Sequence, residues 1–349
     1  MPSYSLLLLI VSLTSCGLLG PDSKEPELEP GRRDYTWTVD SVYSAPGGWM
    51  NTIWGSSPND VWIGSVGGYD KLWHFDGTKW TSWPYREGSN GFVGDFYSIY
   101  GFAQDNVWMG SNEGKIFHFD GQEWKLFQTY KKEGYYISSI RDIWGDSVSE
   151  IYAVGIAIEN ESPEEYRSFL LYYDGSEWVE SVTTDFWMQF QRVRKKDDIY
   201  IYGFGLLSGQ PNLYDVSYYK YKKNKLIEIY SKRESEAKFP NVNEFGDKVY
   251  FVIENDVTNT EFKSILPFSI TEDVYGVNGR HEHDMFITTE YGVLHYNGED
   301  TEDLFRLEHK NAIVFRSLIL ENDVFFLVND YEAGTNLIYH GILPKEQRE

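Results

Sequence analysis

The chain has 349 residues, with 54 Asp and Glu against 31 Lys and Arg and a formal net charge of -23. That balance repels a nucleic-acid backbone, and no basic patch interleaved with aromatics offsets it, so nucleic acid is excluded as a partner. Aromatic residues make up 17% of the chain and favour pleated, partly buried surface, while a single cysteine rules out an intrachain disulfide.

The N-terminus, MPSYSLLLLIVSLTSCGLLG, is an apolar run followed by small residues before Cys16. The run is too short for a bilayer span of about 20 residues and has the length of a secretory signal core. Leu13-Thr14-Ser15-Cys16 resembles the bacterial lipoprotein signal, although no Lys or Arg precedes Leu6. A non-lipidated signal or an uncleaved anchor is the alternative. The resemblance implies that residues 1–15 are removed and that Cys16 carries palmitate-type acyl chains. It implies a lipid-anchored protein of the bacterial cell envelope, in the outer membrane where the host has one, because Gly17 and not Asp follows the cysteine. Two or more chains hold a protein firmly, whereas one is a marginal anchor. Residues 16–34 contain three prolines and several charges without an apolar period, and read as a flexible tether.

A turn leading into an apolar strand then recurs seven times. The copies are SPNDVWIG, AQDNVWMG, SVSEIYAVG, KKDDIYIYG, FGDKVYFV, HEHDMFIT and LENDVFFLV. Their first apolar residues are Val61, Val107, Ile151, Ile199, Val249, Met285 and Val324, spaced on average by about 44 residues. That is the period of four-stranded propeller blades. In the first unit the inner strand is 51–55, the second 60–66, and the hairpin 71–83 supplies the outer two. Asp76-Gly77, Asp120-Gly121, Asp174-Gly175 and Asn297-Gly298 are expected to form two-residue type I′ turns, and Gly121→Val is expected to be costly there.

The seventh unit runs out in ILPKEQRE without a fourth strand, while DYTWTVDSVY (34–43) precedes the first unit unpaired. Ring closure by this N-terminal strand accounts for both. The expectation is an all-β, seven-bladed propeller over 35–343 with four-stranded antiparallel blades and a polar tail at 344–349. Unit four has Lys223-Asn224 at its turn, and unit five lacks a clear fourth strand. Either 271–276 supplies it or that blade is short, and other parses of 240–280 give six or eight blades; two separate β domains is the remaining option.

Trp62, Trp108, Tyr152, Tyr200, Tyr250, Phe286 and Phe325 share one repeat position, which marks them as interblade core and not sugar-stacking platforms. Trp80, Trp124 and Trp178 recur in fourth strands and read the same way. Gly64, Gly110, Gly155 and Gly203 read as points of close backbone approach.

No metalloprotease, nucleophile-elbow, dinucleotide or phosphate-loop motif is present, so no catalytic residue, metal or cofactor is expected. His281 and His283 lie in a turn without further ligands, and His74 and His118 sit at matching third-strand positions as packing or hydrogen-bonded histidines. Loop length is more informative. Connections between second and third strands expand at 155–169, 203–218 and 253–263, and those between blades at 84–97 and 183–190. Both classes emerge on one face of a propeller. Tyr85, Arg86, Phe92, Glu161, Glu165, Tyr166, Tyr214 and Asp215 are the candidate binding face. The carboxylates among them suit a cationic ligand or metal ion better than a polyanion.

The block IWGSSPNDVWIG…LWHFDGTKWTSW resembles secreted bacterial β-propeller proteins built from similar repeats, in the style of Kelch, YVTN and two-component-regulator propellers. The likeness is strong over 50–182 and poor over 240–268. It implies a propeller at the cell surface and no particular reaction. A non-enzymatic binding or scaffold module for an envelope protein or a glycan is the leading expectation, and an extracellular polysaccharide-active hydrolase or lyase the alternative.

Overall fold

A computed structural model describes residues 28–42, 48–68, 71–83, 94–159, 166–207, 210–234 and 242–344. Cys16 and the signal segment lie outside them. All regular structure among the described residues is strand, arranged as seven antiparallel sheets. Blade one runs from its innermost strand Trp49–Ser57 through Asp60–Val66 and Leu72–Phe75 to Trp80–Ser82. Blade two spans Phe96–Ala103 to Trp124–Thr129, blade three Ile137–Ser147 to Trp178–Thr183, and blade four Gln189–Lys195 to Lys225–Glu234. Blade six runs from Val274–His281 to Thr301–Arg306.

Blade seven contributes Ala312–Ile319, Asp323–Asp330 and Thr335–Ile342 from the C-terminal end, and Thr36–Val42 from the N-terminal end. Thr36 pairs with Ile342 and Val42 with Asn336, in unbroken antiparallel register. The expected closing strand is therefore in place.

Seven apolar clusters hold the ring together, one at each junction between neighbouring blades. The seventh joins Phe325, Leu327 and Ile338 of blade seven to Met50, Val61 and Ile63 of blade one, which closes the circle. A second strand is thus covered on both faces, so its residues do not alternate: all eight positions of Asp323–Asp330 are buried. Fourth strands face solvent and stay polar, as in Thr301–Arg306. The seven aromatics at the shared repeat position are all buried, from Phe286 and Phe325 to Tyr152.

Opposite four of those rings stands a histidine. His74, His118, His295 and His340 pack on Trp62, Trp108, Phe286 and Phe325 with ring centroids 4.1, 4.4, 4.6 and 3.9 Å apart. Each Nε2 also reaches the residue that opens the second strand: Asp60 at 2.7 Å, Asn106 at 2.9 Å, Asp284 at 2.7 Å and Asp323 at 2.7 Å. The histidines are structural, as expected. Blade four substitutes Lys220, which pairs with Asp198 and lies over Tyr200. His281 ends the innermost strand of blade six and His283 lies in the two-residue turn after it, and no group of three or more metal-ligating side chains forms among the described residues.

Four expectations need correction. The Asp-Gly and Asn-Gly turns are not type I′, because only their glycines have positive φ. Phe75 pairs with Trp80, leaving a four-residue loop in which Asp76 Oδ1 accepts from the backbone N–H groups of Thr78 and Lys79. Asp120, Asp174 and Asn297 do the same. The Asx side chain, not a left-handed pair, sets the turn. The type I′ geometry occurs instead at Lys223-Asn224, with φ of 52° and 58°. Gly121 still requires φ 88°, and an added Cβ would meet Asp105 Cβ at 2.8 Å. Gly121→Val should lower the urea midpoint by an amount equivalent to about 2 kcal/mol or more, where Gly134→Ala, with open space around it, should cost less.

Blade five is short: Val242–Phe245, Lys248–Ile253 and Asp256–Asn259 form a three-stranded sheet, and 274–276 open blade six. The expected long connection at 253–263 is a tight turn followed by that short third strand. In blades three and four most of the extra length continues the hairpin, as in the pairing of Ile199–Leu207 with Gln210–Lys222. Finally, the last part of the expected tether is held on blade six. Gly31 N–H donates to His283 O at 2.8 Å, and Arg33 bonds His295 Nδ1 at 3.1 Å and Asp300 Oδ1 at 2.5 Å.

Candidate functional site

The innermost strands share a defect that aims side chains at the axis. In six blades the pairing with the second strand skips one residue near the start of the innermost strand. The skipped residues are Asn51, Tyr97, Arg141, Gln191, Tyr275 and Phe315. A bulge leaves its extra residue out of the ladder and turns its side chain away from the usual alternation. All six line the central channel. The repeat glycines explain how the bulges fit. Gly110 and Gly155 sit beside them, and an added Cβ would lie 2.5 Å from Ile140 Cγ2 and 2.0 Å from Ser139 O respectively.

In blades one, two and three the residue after the bulge ties its blade to the next. Thr52 Oγ1 accepts from Ile99 N–H at 3.0 Å, Ser98 Oγ from Ile143 N–H at 2.7 Å, and Asp142 Oδ2 from Val193 N–H at 3.0 Å. These bonds satisfy backbone donors on the edge of each innermost strand, which no further strand covers.

Two cavities with shared lining residues lie along the channel, an upper one at the mouth and a second one beyond it. The one at the bulge level, about 230 Å³, is lined by Asn51, Tyr97, Arg141, Gln191, Tyr202 and Phe315 among others. The deeper one, about 420 Å³, includes Asp142, Arg194, Glu244 and Asn278. Arg192, Phe315 and Arg316 border both. The channel lining therefore carries four arginines, 141, 192, 194 and 316, against two carboxylates. In a chain of net charge -23 this is a local inversion of sign.

Asp142 is fully engaged: besides Val193 N–H it takes Arg194 Nη1 at 2.6 Å and faces Arg192 Nη1 at 3.5 Å. Burial nevertheless pushes the Arg192 guanidinium below its ordinary pKa, and Arg141 likewise. Arg141 lies over the Tyr97 ring at 4.1 Å, and its buried Nε has no hydrogen-bond partner. The Tyr202 hydroxyl, on a side chain only 3% exposed, also lacks one. Arg316 donates to the neighbouring Phe315 carbonyl and joins no ion pair among the described residues.

Glu244 has its pKa raised, because burial outweighs the attraction of Arg194. A raised carboxyl pKa contributes stability below its unfolded value, and that contribution is lost as pH rises through the folded value. Glu244→Gln should therefore raise Tm at about pH 7 and lose that advantage below about pH 4, in thermal melts at both.

The bulged ends of the innermost strands lie on the face that carries the connections between blades and between second and third strands. Five exposed aromatic side chains sit in those connections: Tyr136, Phe186, Trp187, Tyr291 and Tyr331, between 38% and 63% exposed. Of the residues nominated from sequence, Tyr85, Arg86, Phe92, Glu161 and Glu165 lie outside the described residues. Tyr166 is 3% exposed and packs inward, with its hydroxyl beside Gly205 of blade four, so it belongs to the framework. Asp215 is paired with Arg233 at 3.2 Å, and Tyr214 meets Phe204, a wall of the upper cavity, edge-on at 6.4 Å. The charged groups that line the mouth are guanidinium groups, while Glu161 and Glu165, which carried the expected preference for a cationic ligand, lie outside the described residues. The arginines escaped sequence reading because they are scattered along the chain; aligned repeat by repeat, Asn51-Thr52, Tyr97-Ser98, Arg141-Asp142, Gln191-Arg192 and Phe315-Arg316 fall in one column.

No protein-family model and no curated protein sequence matches the chain. Solved structures do. YCF48 bound to D1 peptide superposes with a TM-score of 0.58 at 13% identity, covering 91% of this chain and 100% of that one. YCF48 from Cyanidioschyzon merolae gives 0.55 at 10% identity, over 89% and 99% of the two chains. The extracellular domain of the hybrid two-component system BT3049 from B. thetaiotaomicron gives 0.57 at 10% identity, over 87% of this chain and 42% of that one. Sheets, seam and superpositions together make the chain a seven-bladed β-propeller.

Proposed function

We propose that the protein is a non-enzymatic binding module, lipid-anchored at the bacterial cell envelope through Cys16, which holds a protein partner on the face around the channel mouth. The observation that carries this reading is the gathering of exposed aromatics and channel arginines on that one face. Trp, Tyr and Arg are the residues that dominate protein-binding energetics, because they bury large area at small entropic cost. Two further points support it. The channel carboxylate nearest the mouth, Asp142, is consumed by structural bonds, which leaves Glu244 without a second carboxylate to work with among the lining residues. A propeller of the same fold is known with a bound peptide.

Crosslinking and pull-down from envelope fractions tests the reading. The wild type should recover a stable protein partner, Trp187→Ala with Tyr136→Ala should lose most of it, and Cys16→Ser should move the protein to the soluble fraction. A cleaved glycan in place of a complex would favour the polysaccharide-active alternative.

A further inference from the structure

We infer that the upper cavity of the channel is a receptor for a single carboxylate group, which Arg141, Arg316 and the Tyr202 hydroxyl bind together. The inference rests on the binding-module reading and adds the chemistry of what enters the mouth.

Three observations converge. First, the side chains of Arg141 and Tyr202 border the same cavity, and their buried donors Arg141 Nε and Tyr202 Oη have no hydrogen-bond partner. A buried donor without a partner costs roughly 1–3 kcal/mol, so an acceptor-rich group placed between them recovers a penalty the empty site carries. Second, Arg316 borders both cavities and joins no ion pair among the described residues, while Asp142, one of the two carboxylates of the lining, is shared by Arg192, Arg194 and Val193 N–H. The lining is therefore short of negative charge. Third, the positions are built: Arg141 is itself a bulge residue, and Arg316 follows one.

Size and charge narrow the class. A volume of about 230 Å³ lies under the roughly 300–1,000 Å³ of pockets for drug-sized ligands, which suits one small group with a short body. Guanidinium groups match the planar, two-oxygen geometry of a carboxylate. The acid-rich exterior of the chain opposes a polyanion, whose remaining charges would stay outside the channel. Phe204, Phe315 and Tyr97 add aromatic surface to the same cavity, with Arg141 lying over Tyr97 and Arg316 over Phe315.

The carboxylate has two possible sources, a chain end or a small organic acid, and the experiment separates them. Isothermal titration of the soluble Cys16→Ser protein uses four probes: D-glucuronate and its methyl ester, and a tripeptide with a free or an amidated C-terminus. The expected result is binding of at least one acid, with its neutral counterpart weaker by about tenfold or more. Arg316→Gln should weaken the acid by about tenfold and Tyr202→Phe by about threefold, with affinity falling as salt rises. Among the described residues neither change removes an ion pair or hydrogen bond between blades, so circular-dichroism melts should stay near wild type. The inference is overturned if no acid binds, if acid and neutral probes bind alike, or if Arg316→Gln binds as well as wild type. Should Arg316→Gln still capture the envelope partner while every acid fails to bind, the carboxylate inference falls and the binding module stands.

Discussion

Deleting residues 28–42 is expected to leave a chain that no longer melts cooperatively and that associates through its exposed edge. Thr36–Val42 completes blade seven, and its loss uncovers the whole of Thr335–Ile342, a strand with unpaired N–H and C=O groups. The deletion also removes Tyr35 and Val42, both buried, and Trp37, whose ring packs on Phe305 and Phe326. At about 1.5–3 kcal/mol for each large apolar side chain, the loss is on the order of 5 kcal/mol, comparable with the whole stability of many domains. Size-exclusion chromatography with differential scanning calorimetry reads both effects. A synthetic peptide of residues 28–42 added in trans should restore the melt. A truncated chain that stays monomeric and melts as sharply as the parent would refute the seam.

The second large effect is expected at Asp142. Asp142→Ala strands the Val193 N–H and leaves Arg192 and Arg194 facing each other without their shared counter-ion. Removing one partner from a buried ion pair typically costs about 3–5 kcal/mol, because the remaining charge stays desolvated. Asp142→Asn keeps an oxygen for Val193 N–H and should fall between wild type and alanine. Urea denaturation of the three proteins orders them. Equal midpoints for Ala and Asn would mean that the backbone bond contributes nothing beyond the charge.

Much of the architecture is legible in the sequence because it is periodic. The second strands announce themselves as apolar runs, since neighbouring blades cover both of their faces, and the missing fourth strand at one end of the chain matches the surplus strand at the other. What escapes is register. A bulge shifts alternation by one residue without changing composition, so Tyr97 or Arg141 reads as an ordinary strand residue until its neighbours' pairing is known. The Asp-Gly loops mislead for a related reason. The dipeptide fits two turn types, and the choice falls to side-chain hydrogen bonds such as Asp76 to Thr78 and Lys79. The candidate face was read from loop length alone. It includes Tyr214, which meets Phe204 of the channel lining, yet also Tyr166, whose side chain is buried.

Arg33 has a mechanical consequence. Its guanidinium grips His295 and Asp300 of blade six just before the chain enters the strand that seals the ring. A pull on the N-terminus is therefore transmitted first to blade six, a sheet made of one continuous stretch of chain. The seam carries load only after that grip has let go, so tension along the leader reaches the closing strand last.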